Sequence, residues 1–382
     1  MSPGRPGRRA VLRVLPLLLC APLAACGAPA DTADTAGTAA ERDIRRAVAR
    51  WSAAPPGRLA GIPLEDWAYE VTSVRRDGVR ALARAELRYR LAGYDTAPAG
   101  SAREVELTGD GGAWRVTGDR PAPGAPPQLW DQGPVAVVRG KACLVLGVGR
   151  TPADLDRIAA EADRAVPAVS AAWPGAWAGR VVVLVPGTLD AMAALLGRPA
   201  SACRGMAAVT TGRVGAGPTP ADRVVINPEG YGELAEEGRR IVLTHEITHV
   251  ATRAATSERT PLWLSEGFAD WAAYRETPGT GRAAAEAAPE LARAVRRGEL
   301  PGELPANEAF GFGGDAEALA RAYEGAWLVC RFIAGKWGDA ALVRLYEKAG
   351  REPLATALAE TLGLDPAELT RAWQEYLRDE LR

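Results

Sequence analysis

The chain contains two histidines, and they stand four residues apart in His245-Glu246-Ile247-Thr248-His249. Residues four apart on an α-helix lie one above the other on the same face, so both imidazoles can be turned towards one ion. Glu246 is rotated by about 100° from His245 on such a helix. That direction takes it out of the ligand set but leaves it within reach of a water held by the metal. A helix is expected over residues 239–255, where Ile241, Val242, Ile247 and Val250 supply apolar packing and neither Pro nor Gly interrupts. The histidine count also sets a limit. A third imidazole ligand is excluded within the chain, and a Ser-His-Asp or Cys-His mechanism has only these two residues to draw on.

A third metal ligand is expected at Glu266, seventeen residues after His249, in Trp263-Leu264-Ser265-Glu266-Gly267-Phe268-Ala269-Asp270. Trp263, Leu264, Phe268 and Trp271 mark a helix start with a buried face. A carboxylate there is out of place unless it is paired or bound to a metal. Two histidines and one carboxylate leave the fourth position of a tetrahedral zinc ion to water, which is the arrangement of catalytic sites. One Zn2+ per chain is expected.

H-E-x-x-H followed by W-L-x-E-G-x-A resembles the gluzincin peptidases, most nearly the peptidase-MA-like domains and the catalytic core of the aminopeptidase N family, over about residues 205–350. The resemblance implies a zincin fold in which His245, His249 and Glu266 bind zinc and Glu246 is the general base. The thermolysin-like branch orients its first histidine with an aspartate one helical turn beyond the ligand glutamate, which carries over to Asp270. Ala322-Tyr323-Glu324-Gly325-Ala326-Trp327 resembles the segment whose tyrosine stabilises the tetrahedral intermediate, which points to Tyr323 as a catalytic residue. One departure stands out. The G-A-M-E-N strand of the aminopeptidase N family uses its glutamate to hold a substrate amino terminus, and the nearest counterpart, Gly205-Met206-Ala207-Ala208, has none. The strand Val224-Val225-Ile226-Asn227 is a candidate for pairing with an extended peptide.

These residues need a scaffold, and the 382-residue chain is long enough for more than one domain. Arg5, Arg8, Arg9 and Arg13 precede a short apolar stretch ending in Leu23-Ala24-Ala25-Cys26. This resembles a bacterial lipoprotein signal peptide, so residues 1–26 are expected to form the leader, with lipidation at Cys26. Residues 27–40 are small and polar and read as a flexible tether. Residues 41–120 read as a small α+β domain, a helix followed by a strand meander, that resembles the cone of nuclear transport factor 2-like folds. Within it Val79 to Leu91 alternates, with Val79, Ala81, Ala83, Ala85, Leu87, Tyr89 and Leu91 facing one way. Residues 121–128 are Pro-rich and read as a linker. Residues 129–382 read as the metallopeptidase domain, a small sheet followed by a mostly helical part. Short strands are expected near 135–148, 180–185, 206–211 and 223–227, and helices at 152–170 and 189–196. The fold class is therefore α+β, a zincin-like domain preceded by a small cone-like one. Residues 277–316, rich in Gly, Ala and Pro, are placed to shape the cleft.

Export permits disulfides, and Cys143, Cys203 and Cys330 remain beyond the leader. At most one bridge can form among three, with Cys143–Cys203 the favoured pairing and Cys330 a buried thiol in an apolar helix. A net charge of −1 gives no basic field for nucleic acid. The expected function is zinc-dependent hydrolysis of peptide or protein substrates at the outer face of the cytoplasmic membrane. One alternative is a binding lipoprotein that keeps the fold without catalysis, against which the intact Glu246 argues. Another is an adaptor whose working part is residues 41–120. Nothing in the sequence indicates an oligomeric state.

Overall fold

The computed structural model describes residues 39–110, 112–212, 221–275, 284–311 and 315–381. The expected leader, Cys26 and tether residues 27–38 lie outside them. The fold is mixed α+β. It opens with α1 (Ala39–Trp51), which buries Ile44, Ala47 and Val48 along one stripe. Four antiparallel strands follow as a meander: β1 (Leu64–Asp77), β2 (Arg80–Leu91), β3 (Ala99–Asp110) and β4 (Ala113–Pro121). On β2, Ala81, Ala83, Ala85, Leu87, Tyr89 and Leu91 are buried while Arg80, Arg84 and Arg88 are exposed. This is the period-two pattern of a sheet with one dry face. The alternation places Val79 on the dry side too, but it is 65% exposed. Gly78, at φ 58°, turns the chain there, and pairing begins only at Arg80.

The chain after the Pro-rich segment still packs with this first sheet. Arg103, buried on β3, is held by Asp119 and Asp131, each at 2.7 Å, and Tyr69 donates to Asp119. Asp131 belongs to a short 3-10 turn, Leu129–Asp131, whose Trp130 packs against Trp67 and Tyr89.

The second sheet contains β5 (Val135–Arg139), β6 (Cys143–Val148), β7 (Val181–Val185), β8 (Ala208–Thr210) and β9 (Arg223–Ile226), in the order β5-β6-β7-β9-β8. Strands β6, β7 and β9 are parallel, and β5 and β8 run antiparallel at the two edges. Between strands lie α2 (Pro152–Ala172) and α3 (Leu189–Leu196). Helix α2 starts where Thr151 accepts a hydrogen bond from the Asp154 amide and Pro152 occupies the first turn. Both faces of this sheet are dry, which is why β6 and β7 are unbroken apolar runs. Along β6, Cys143 and Val145 join the helical core, whereas Leu144, Leu146 and Val148 join the core of the first sheet. Val182 on β7 does the same between Val181 and Val183. The first sheet thus covers the face that the helices leave bare. Across this contact the buried Asp95 holds both terminal nitrogens of Arg223, at 2.7 and 2.8 Å, and accepts from the Ala221 amide at 2.9 Å.

The remainder is helical: α4 (Pro228–Glu233), α5 (Glu236–Thr252), α6 (Leu262–Arg275), α7 (Ala284–Ala287), α8 (Pro289–Arg296), α9 (Ala316–Trp337), α10 (Asp339–Ala349), α11 (Leu354–Leu362) and α12 (Pro366–Glu380). Helix α5 packs on α2 and β8, and α6 packs on both α5 and α9.

The favoured disulfide is absent. Cys143, Cys203 and Cys330 are free and buried. Cys143 faces the helical core, whereas Cys203 belongs to a separate apolar cluster with Met192 and Val225, so the two thiols serve different packing environments. Burial, reinforced by Asp163, pushes the Cys143 thiol up to about 12. These three thiols are expected to resist an aromatic disulfide reagent in the native protein and to react on denaturation. Native labelling of Cys143 at the rate of a free thiol would contradict this packing.

Candidate metal centre

Helix α5 brings His245, Glu246 and His249 to a cleft and keeps its polar buried face satisfied without outside help. Thr244, Thr248 and Thr252 each donate to the carbonyl four residues earlier, at 2.7–3.0 Å. Leu243, Ile247 and Ala251 bury the apolar part of the helix. Helix α6 lies against it. Its first amide, at Leu262, donates to Asn307 Oδ1 at 2.9 Å. The Tyr346 hydroxyl, on α10, stands 2.8 Å from Thr256 Oγ1 and 3.4 Å from Ser265 Oγ, linking the end of α5 to the residue before Glu266.

The sequence-predicted ligands converge. His245 Nε2 and His249 Nε2 are 3.1 Å apart, Glu266 Oε2 is 3.3 Å from His245 Nε2, and Glu266 Oε1 is 3.6 Å from His249 Nε2. Their side chains are only 14% to 17% exposed. A tetrahedral zinc ion with bonds of ~2.0–2.1 Å requires its ligand atoms to lie about 3.4 Å apart. The three separations bracket that value, so the donor set fits zinc in chemistry and in spacing. Asp270 Oδ1 stands 2.8 Å from His245 Nδ1. This contact favours a proton on Nδ1 and leaves the Nε2 lone pair for a metal.

The charges respond to one another. Burial disfavours protonation of His245, but Asp270 and Glu266 outweigh it and raise the imidazole well above its ordinary value. Burial would raise Glu266, yet His249 and His245 hold it far below the ordinary carboxylate range. Tyr323, on α9, lines the same cleft and packs edge-on against Phe310. Burial, and then the negative charges of Glu266, Asp270 and Glu246, raise its phenol above the usual value. It therefore keeps its proton at neutral pH and can donate a hydrogen bond.

No protein-family model matches the chain, and no curated protein matches it. Among solved structures it is similar to an M1 zinc metallopeptidase from Deinococcus radiodurans, with a TM-score of 0.37 and 19% sequence identity over 70% of this chain. The chain spans 58% of that protein.

The cleft has a volume of about 860 Å³. One wall is the metal-facing side of α5, and another is the segment Gly205 to Thr210 running into β8. Val224–Asn227, expected to pair with an extended peptide, cannot do so: β9 is already paired with β7 on one side and β8 on the other. The edge strand beside the cleft is β8. Arg253, one turn beyond His249, also lines the cleft and is held by Asp222 at 2.6 Å. Thr210 was not legible as a site residue. Its hydroxyl donates to Glu246 Oε2 at 2.6 Å, a contact across 36 positions of sequence that no local spacing announces. Of the segment 277–316, the described part contributes Asn307 to the cleft.

Replacing Asp270 by Ala is expected to weaken zinc binding about 10–100-fold, because His245 loses the partner that fixes its ring and tautomer. Competition against a chromogenic chelator measures this; unchanged affinity would remove Asp270 from the site.

Proposed function

We propose that this protein is a zinc-dependent peptidase with His245, His249 and Glu266 as metal ligands. The observation that carries the reading is the convergence of those three donors at tetrahedral spacing, with Glu246 beside them on the same cleft. Zinc, when bound, would polarise a carbonyl and make a water more acidic. Glu246 takes the proton of the attacking water and later delivers it to the departing nitrogen. The Tyr323 hydroxyl donates to the oxygen that gains negative charge. Substrate backbone lies along β8, the edge strand that the sheet leaves unpaired on the cleft side. The absence of a carboxylate in Gly205-Met206-Ala207-Ala208 argues against capture of a free amino terminus there. The N-terminal sequence supports export and anchorage through Cys26 to the outer face of the cell membrane, with peptides or proteins at the surface as substrates.

The test combines metal analysis of the purified chain with cleavage of a peptide library. One zinc per chain is expected, with cleavage abolished by a chelator and restored by zinc. Tyr323→Phe is expected to keep the zinc and lose about 10²–10³-fold in kcat, as for removal of one oxyanion donor. Zinc bound without cleavage of any peptide would favour a binding protein that keeps the fold.

A further inference from the structure

We infer that Thr210 is the positioning residue that aims the Glu246 carboxylate, an inference that rests on the peptidase reading. Glu246 is 9% exposed, and a carboxylate so placed needs a donor. Its partner is the Thr210 hydroxyl, 2.6 Å from Oε2 and 2.9 Å from the Glu246 carbonyl oxygen. A hydroxyl has one proton to give, and the shorter contact to the charged oxygen takes it. Among the described residues no other donor engages the carboxylate, so Oε1 is left to the cleft. The two oxygens divide the work: Oε2 is anchored and Oε1 accepts the proton of the attacking water.

The anchor is itself fixed. Thr210 is β-branched and ends β8, so its side chain has little rotamer freedom. The next residue is tied to β9 through both backbone and side chain: the Thr211 amide donates to the Arg223 carbonyl at 2.8 Å, and Thr211 Oγ1 accepts from the Arg223 amide at 2.9 Å. Thr210 therefore joins the strand that borders the cleft to the group that acts in it, its side chain bonded to Glu246 and not to the three converging donors.

Two variants of the full chain test this. Thr210→Val keeps the shape and the β-branch and removes the hydroxyl; Thr210→Ser keeps the hydroxyl. The valine variant is expected to lose about ten- to a hundredfold in kcat, the scale of a misplaced reacting group, with KM and zinc content unchanged. The serine variant is expected to stay near wild type. Wild-type kcat in the valine variant would overturn the proposal. So would an equal fall in both variants, a rise in KM alone, or loss of zinc. If the wild-type chain shows no zinc-dependent cleavage, the peptidase reading fails separately. A crystal structure of Thr210→Val then decides the positional claim: a displaced Glu246 carboxylate supports it and an unmoved one overturns it.

Discussion

Glu246→Gln is expected to bind zinc as the wild type does and to hydrolyse peptides about 10³-fold more slowly, within the range that general acid–base groups contribute. The amide has nearly the shape of the carboxylate and can still accept the Thr210 hydrogen bond at its oxygen. It cannot take a proton from water at neutral pH. Zinc should stay, because the three converging donors are His245, His249 and Glu266 and do not include Glu246. Metal analysis and single-peptide kinetics on the same preparation separate the two effects. Hydrolysis at the wild-type rate would defeat the mechanism, and loss of zinc would place Glu246 in the ligand set.

Gly267→Ala is expected to be the most damaging single-methyl change near the site. A Cβ at Gly267 would lie 2.2 Å from the Ala326 carbonyl oxygen and 2.5 Å from its carbon, with Cys330 Sγ at 3.0 Å. The obstacle is helical backbone, not the end of a flexible side chain, so α6 and α9 must separate. Overpacking of this kind costs about 1–3 kcal/mol, and the bare backbone contact argues for the upper end. The shift also has a direction. Helix α6 carries Glu266 and Asp270, and α9 carries Tyr323, so parting them opens the centre. A lowered urea midpoint together with weakened zinc binding is the expected pair of results. A stable Gly267→Ala protein with tight zinc would show that the helices can slide without disturbing the ligands. The glycine of the E-G pair is thus explained by a helix crossing, where the sequence alone offered only a motif.

The side chains that converge were legible because much of their geometry is local. His245 and His249 share a face by helix arithmetic, and Asp270 follows Glu266 by one turn on α6. Glu266 itself was legible from a physical conflict, a carboxylate among Trp263, Leu264 and Phe268, which only pairing or a bound metal resolves. Thr210 lay beyond reach because sheet order is not written locally. Strand β8 precedes β9 in the chain yet lies outside it in the sheet, and the same inversion makes β8 rather than Val224–Asn227 the free edge. The favoured disulfide failed for a related reason. Counting cysteines gives parity, whereas pairing depends on which packed cluster each thiol joins, the helical core for Cys143 and the cluster with Met192 and Val225 for Cys203. The unbroken apolar runs Cys143–Val148 and Val181–Val185 did hold a signal, since a strand without alternation must be covered twice. What they could not say is that the second cover comes from the first sheet.

That shared cover bears on how such a chain can be rebuilt. If the first unit were exchanged for an unrelated one through the Pro-rich segment, Leu144, Leu146, Val148 and Val182 would be stripped of their neighbours. Arg223 would also lose Asp95. The graft would expose a flat apolar sheet face, a surface prone to self-association. Residues 121–128 are therefore a poor place to recombine the chain, whatever their composition suggests. The two sheets share one core, and a transplantable segment that carries the cleft has to begin at α1.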